Sequence, residues 1–70
     1  VYMSIVATEY PGDETHVSVR SSETVDASDF CSTFGGGGHT CAAGCTIKNA
    51  PFKDALSLLI SAALEYMKNV

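Results

Sequence analysis

The chain has 70 residues, 46% of them hydrophobic and 17% charged, with a formal net charge of −4. This length predicts one small domain whose core supplies only about 3 to 5 kcal/mol of stability, and the high hydrophobic fraction predicts that part of the apolar surface faces a partner. The acidic balance excludes a broad basic groove for long nucleic acid, so any anion site has to be local.

The first residues and the cysteines predict what kind of protein the chain comes from and where it is located. The chain begins with Val1 and a strand-like pattern, without an initiator methionine or a signal peptide. We therefore expect residues 1–70 to be a single C-terminal domain excised from a longer, two-domain protein. Three cysteines at irregular spacing predict reduced thiols and a cytoplasmic location. No apolar stretch reaches the ~18 residues of a membrane span, so we expect no membrane partner.

Two alternating segments near the start predict a β-hairpin. Apolar and polar residues alternate over residues 2–8 and again over residues 15–20. Between them, Pro11, Gly12 and Asp13 favour a tight turn, because they supply a fixed φ, a permissive φ and a turn-forming side chain.

Residues 25–34 predict a short helix, with Asp26 as its N-cap and Asp29 near its positive end. Gly35 then lies where a helix C-terminus favours a left-handed residue. After the glycines we expect one helical turn over residues 40–43. A third strand is predicted over residues 45–48, with Cys45 and Ile47 pointing inward.

The last segment, residues 51–69, predicts a long amphipathic helix. Its expected inward face consists of Phe52, Ala55, Leu56, Leu59, Ile60, Ala63, Leu64 and Met67. A second stripe, Leu58, Ala62 and Tyr66, is predicted to pack on an absent domain or on a second copy of the chain; the alternative is packing on the other strands of the sheet. The fold class is α/β (α+β-like): a small mixed sheet, a short helix, a Gly-rich loop and a long C-terminal helix.

The run Gly35–Gly38, closed by His39, predicts a ligand-binding loop. Glycines let a ligand approach the main chain, and successive N–H groups can converge on an anion. A flexible linker is the alternative, but linkers mix glycine with serine in polar surroundings.

Arg20 is followed by Ser21 and Ser22, which places a guanidinium beside two hydroxyls and suits a phosphate. If the sheet brings the end of the second strand beside the glycine loop, Arg20, Ser21 and His39 would surround one phosphoryl group. The alternative for Arg20 is a surface salt bridge with Glu23 or Asp26.

Other chemistry is less well supported by the sequence. A metal site from His39, Cys41 and Cys45 lacks paired Cys-x-x-Cys spacing, and only Cys31 or His16 could add a fourth ligand. His16 lies on the polar face of its strand and is expected to be solvated. No nucleophile has an adjacent base and no carboxylates cluster, so we expect neither catalytic nor metal-binding residues in this chain.

The sequence Val17-Ser18-Val19-Arg20-Ser21, the pair Val25-Asp26, the run Phe34-Gly35-Gly36-Gly37-Gly38-His39 and Ala42-Ala43-Gly44 occur in this order over nearly the whole chain. This arrangement resembles the C-terminal, DHH-associated domain of the DHH phosphoesterases. The nearest likeness is to the branch of nanoRNases that also hydrolyse pAp, cyclic dinucleotide phosphodiesterases and exopolyphosphatase-related proteins.

The resemblance implies a division of labour. In that family an N-terminal catalytic domain with Asp-His-His motifs binds two manganese ions, and the C-terminal domain holds the substrate against them. It implies that Arg20 and Ser21 anchor a phosphate and that Gly36, Gly37, Gly38 and His39 contact substrate phosphate or base. The manganese ligands are expected outside this chain, and the expected substrates are short oligonucleotides, pAp or related phosphodiesters.

A second function is a nucleic-acid-binding appendage like the related C-terminal domain of alanyl-tRNA synthetases. A tRNA-binding domain is expected to be basic, whereas this chain is acidic. The charge therefore favours the phosphoesterase interpretation.

Overall fold

The structure is a computed structural model and describes residues 2–68. It contains β1 (Met3–Tyr10), β2 (Glu14–Ser21), α1 (Ala27–Ser32), β3 (Gly37–His39), β4 (Ala42–Lys48) and α2 (Phe52–Met67). The small α+β fold and its long final helix are as the sequence predicts.

The four strands form one sheet in the order β1-β2-β4-β3. All three pairings are antiparallel, so the sheet is antiparallel throughout rather than mixed. The predicted hairpin joins β1 to β2 through a turn in which Gly12 and Asp13 both have positive φ, 83° and 56°. That backbone favours glycine at the first position and tolerates aspartate at the second.

The prediction of a helical turn over residues 40–43 is wrong. Thr40 and Cys41 form the turn of a second hairpin, which joins β3 to β4, and Ala42 already belongs to β4. Strand pairing overrides the weak local preference of a Gly-rich segment, because β-propensity mostly reflects the neighbours that a strand finds. Cys45 and Ile47 do point inward, each 8% exposed.

Both helices lie on one face of the sheet and leave the other face open. The buried residues between the layers are Val17, Val19, Ala27, Phe30, Cys31, Ala43, Cys45, Ile47, Ala55 and Leu59. Because side chains alternate along a strand, the residues between them in sequence, such as Ser18 and Arg20, face the opposite side. This uncovered side is called the open face below.

α1 is capped as predicted at both ends. The Asp26 carboxylate accepts the backbone N–H of Asp29 at 3.0 Å. At the other end Gly35 has φ 80° and donates to the Ser32 carbonyl, while Gly36 donates to the Cys31 carbonyl. These two bonds form a Schellman motif, which satisfies the last carbonyls of the helix.

The inward face of α2 agrees with the predicted face at Ala55 and Leu59, which are buried, and differs from it in part elsewhere. Ile60 and Leu64 are 59% and 65% exposed, whereas Ala62 and Tyr66 pack against the core. The prediction that the second stripe packs outside the domain is therefore wrong for Ala62 and Tyr66. The helix has apolar residues on most sides of its own surface, so the hydrophobic periodicity does not identify one buried face clearly. The stripe's third member, Leu58, is 52% exposed, and the predicted end of the helix at Asn69 lies outside the described residues.

Candidate phosphate-binding surface

The sheet register brings Arg20 and His39 into one row across the open face. Ser4 pairs with Arg20, Arg20 with Ala42, and Ala42 with His39. Arg20 and His39 are both exposed, and two strand spacings place their backbones about 10 Å apart. The short side chain of Ala42 lies between them, so the row has a cationic and an imidazole side chain on either side of a gap.

In β2, β4 and β3 the adjacent row has no large side chain. It consists of Ser18, Gly44 and Gly37, which pair with one another across β2, β4 and β3. A Cβ atom built on Gly37 would meet no atom within 4 Å. A ligand held by Arg20 and His39 can therefore approach the main chain here.

From this row a groove of about 600 Å³ runs along the open face toward the other end of β4. Its walls include His16, Ser18, Gly36, Thr46 and Lys48. The groove is open to solvent and lined mainly by polar atoms, so it suits a polar ligand better than an apolar one.

His16 makes more contacts with other side chains than we expect of a solvated residue. Its Nε2 atom lies 2.6 Å from Glu14 Oε1, and its ring stacks on Tyr10 with the ring centroids 3.8 Å apart. The hydrogen bond from His16, and to a lesser extent the charges of His16 and Lys48, hold the pKa of Glu14 below its usual value. This end of the groove therefore carries a carboxylate, which disfavours an anionic group there.

Three of the four consecutive glycines have structural reasons for being glycine. Gly35 has positive φ at the end of α1. A Cβ on Gly36 would overlap the Gly44 carbonyl oxygen, and one on Gly38, whose φ is 148°, would lie 2.8 Å from the Ala42 carbonyl oxygen. The amides of Gly35 and Gly36 donate within the Schellman motif, so they are not available to an anion. Only Gly37 is without such a constraint.

Ser21 does not share the open face with Arg20. Its side chain is 4% exposed, and its hydroxyl donates to the Val25 carbonyl at 2.6 Å, with the Thr40 carbonyl at 3.2 Å. Its backbone N–H donates to the Cys41 carbonyl. Ser21 thus fastens the end of β2 to the β3–β4 turn and supports Arg20 from behind, and we leave its hydroxyl out of the candidate surface.

Cys31 and Cys45 lie on the helix side of the sheet, whereas His39 lies on the open face. Cys31 and Cys45 are buried among the core residues, and burial raises the pKa of both thiols, that of Cys31 to about 11. Within residues 2–68, no three His, Cys, Asp or Glu side chains are grouped so that they could hold a metal ion. No helix in that range is long and apolar enough to span a membrane.

Sequence reasoning missed the floor of the surface, formed by Ser18, Ala42 and Gly44. The sequence signal is the alternation of apolar Ala43, Cys45 and Ile47 with Gly44, Thr46 and Lys48, which has the period of a strand that begins before Cys45.

No curated protein matches the chain. The family model described as the DHHA1 domain matches residues 1–69, almost the whole chain. The protein therefore belongs to the DHHA1 domain family.

Proposed function

We propose that this domain binds the phosphate of a nucleotide or short oligonucleotide on behalf of a DHH-family phosphoesterase. Family membership supports a phosphoesterase context. The observation that carries the proposal is the row in which Arg20 and His39 flank Ala42 on the open face.

Arg20 supplies the main attraction in this proposal. A guanidinium presents several N–H donors in a planar fork that matches phosphate oxygens. His39 adds a second donor from the other side of the gap, and Gly37 and Gly44 leave the main chain accessible. The uncharged part of the ligand, its sugar or base, extends into the groove.

Catalysis belongs to another part of the enzyme in this proposal. The described residues offer no group of ligands for manganese, and the proposal assigns the metal to a separate catalytic domain. The contribution of the domain is orientation: a fixed phosphate presents its scissile bond to a separate catalytic domain, which can lower the barrier by several kcal/mol. The partner is then the N-terminal catalytic domain of the same enzyme, and its metal is manganese, as in the family resembled.

The test is an NMR titration of the chain with pAp and with a short RNA. We expect amide shifts at Gly37, Gly38 and Ala42 and at the His39 ring. Arg20→Ala should weaken binding about tenfold, since a hydrogen bond to a charged group contributes about 1.5 to 3 kcal/mol. Lys53→Ala is the matched control, because it removes one positive charge from an exposed position on α2.

Equal loss of affinity in the two variants would mean that only net charge matters, and would refute the proposed surface. Shifts confined to α2 would refute it as well. Binding of tRNA in preference to pAp would instead favour the nucleic-acid-binding appendage.

A further inference from the structure

The outer edge of β1 has no partner strand among residues 2–68, since β1 ends the sheet order β1-β2-β4-β3. Tyr2 accepts the backbone N–H of Ser22 at 3.1 Å. Because bonded positions alternate in an antiparallel pair, even-numbered residues turn their backbone groups toward β2. The backbone groups of Met3, Ile5 and Ala7 therefore point to the free edge.

This edge lacks the features that usually prevent strands from pairing. Natural edge strands are short, or carry lysine, proline or a bulge. β1 is eight residues long and pairs with β2 without interruption from Met3 to Tyr10. Its one charged residue is Glu9, near the end of the strand.

The open-face side chains of β1, together with that of Tyr2 directly before it, are nearly palindromic. In order they are Tyr2, Ser4, Val6, Thr8 and Tyr10: an aromatic, a hydroxyl, a valine, a hydroxyl and an aromatic residue. Tyr2, Val6 and Tyr10 are also 58%, 60% and 44% exposed, which makes them half of the exposed large hydrophobic residues of the described chain.

We propose that two copies of the chain associate through β1, antiparallel, about a two-fold axis at Val6. A two-fold interface requires a surface that complements itself, and this palindrome satisfies that requirement. Each Tyr2 then lies opposite Tyr10 of the second copy, each Ser4 opposite Thr8, and Val6 opposite Val6.

The pairing also gives the outward backbone groups hydrogen-bond partners and brings no like charges together. The outward backbone groups of Ile5 meet those of Ala7 in the second copy, and Met3 meets Glu9, so no like charges oppose each other. The even-numbered pairs are then the non-hydrogen-bonded ones, in which side chains approach most closely. The result is a continuous eight-stranded antiparallel sheet with both copies of Arg20 on one face.

The first test is sedimentation equilibrium of the chain at micromolar to millimolar concentration. We expect a dimer, at twice the 7.3 kDa of one chain. Val6→Lys places two like charges across the axis and should weaken the dimer at least about tenfold. Leu64→Lys is the matched control, since Leu64 is equally exposed on α2, and it should leave the dimer unchanged.

The second test determines whether the two β1 strands pair in the proposed register. Non-hydrogen-bonded pairs have Cα atoms about 4.5 Å apart, within the range of a disulfide. In a Cys41→Ser background, Val6→Cys should therefore form a covalent dimer on mild oxidation, and Leu64→Cys should not. A monomer at every concentration, a dimer that survives Val6→Lys, or equal cross-linking of the two cysteine variants would overturn the proposal.

Discussion

Gly36, which directly precedes β3, and Gly37, the first residue of that strand, have different roles although both are glycines. We expect Gly36→Ala to destabilise the domain by about 2 kcal/mol, because its Cβ would overlap the Gly44 carbonyl oxygen and β4 would have to move. Gly37→Ala should change stability by less than about 0.5 kcal/mol, since its Cβ would meet nothing within 4 Å. Urea unfolding of both variants measures the difference.

The same pair of variants separates packing from ligand approach. Gly37→Ala should reduce pAp binding while the fold stays intact, because the added methyl group narrows the gap beside Arg20 and His39. If Gly37→Ala unfolds the domain, or if Gly36→Ala is as stable as the parent chain, the assignment of the two glycines is wrong.

The sequence identified this loop as important but not for the right reason at each position. A run of glycines predicts permissive backbone, and Gly35 at the end of α1 is confirmed on that basis. The tight contacts of Gly36 and Gly38 depend on β4, which follows later in the chain, and no local pattern contains them. Likewise, Ser21 follows Arg20 in sequence, but the alternation of the strand turns its side chain to the other face.

At the scale of elements, Tyr66 joins the two helices. Its ring packs edge-on against Phe30, with centroids 5.6 Å apart, and its hydroxyl donates to the Asp26 carbonyl and to Asp29 Oδ2 at 3.2 and 3.1 Å. These contacts hold the end of α2 over the start of α1.

Substitutions along the second stripe of α2 test this assignment. Tyr66→Phe should cost about 0.5 kcal/mol, because it removes exposed hydrogen bonds but keeps the ring. Tyr66→Ala should cost about 2 kcal/mol, since it uncovers Phe30. Leu58→Ala, eight residues earlier on the same stripe, should have almost no effect because Leu58 is largely exposed. Thermal unfolding that ranks Leu58→Ala as the most harmful of the three would contradict the observed face.

The elements themselves were predictable where local chemistry determines them. The β1–β2 turn, the Asp26 cap and the left-handed Gly35 each depend on neighbouring residues, and all are confirmed. β3 was not predictable, because a three-residue strand of Gly37, Gly38 and His39 exists only through its pairing with β4.

At the scale of the whole molecule, the sheet and helices enclose the Cys31 and Cys45 thiols. Burial is the main cause that raises the pKa of each thiol, and the nearby thiol of Cys45 adds to the effect on Cys31. Burial and the Asp29 carboxylate also raise the pKa of Tyr66. All three groups therefore resist losing a proton in the folded chain more than in the unfolded one.

This arrangement predicts that the domain loses stability in alkali. Unfolded thiols release their protons from about pH 8.5, whereas Cys31 has a pKa of about 11 in the fold. Above pH 8.5 the unfolded state thus binds fewer protons than the folded state, and the free energy of unfolding falls as the pH rises. Below that pH this contribution is fully present. Urea midpoints measured under reducing conditions should be constant from pH 7 to 8 and should fall steadily toward pH 10.5.

The variant Cys31→Ala isolates the cause of that fall. It should be less stable than the parent at pH 7, because it leaves a small cavity beside Phe30 and Cys45. Its urea midpoint should nevertheless fall less steeply above pH 8.5, since the most strongly shifted thiol is gone. Cys41→Ser serves as the control, because Cys41 lies outside the buried core and should keep the slope of the parent. A parental slope in Cys31→Ala would assign the alkaline loss to groups other than this thiol.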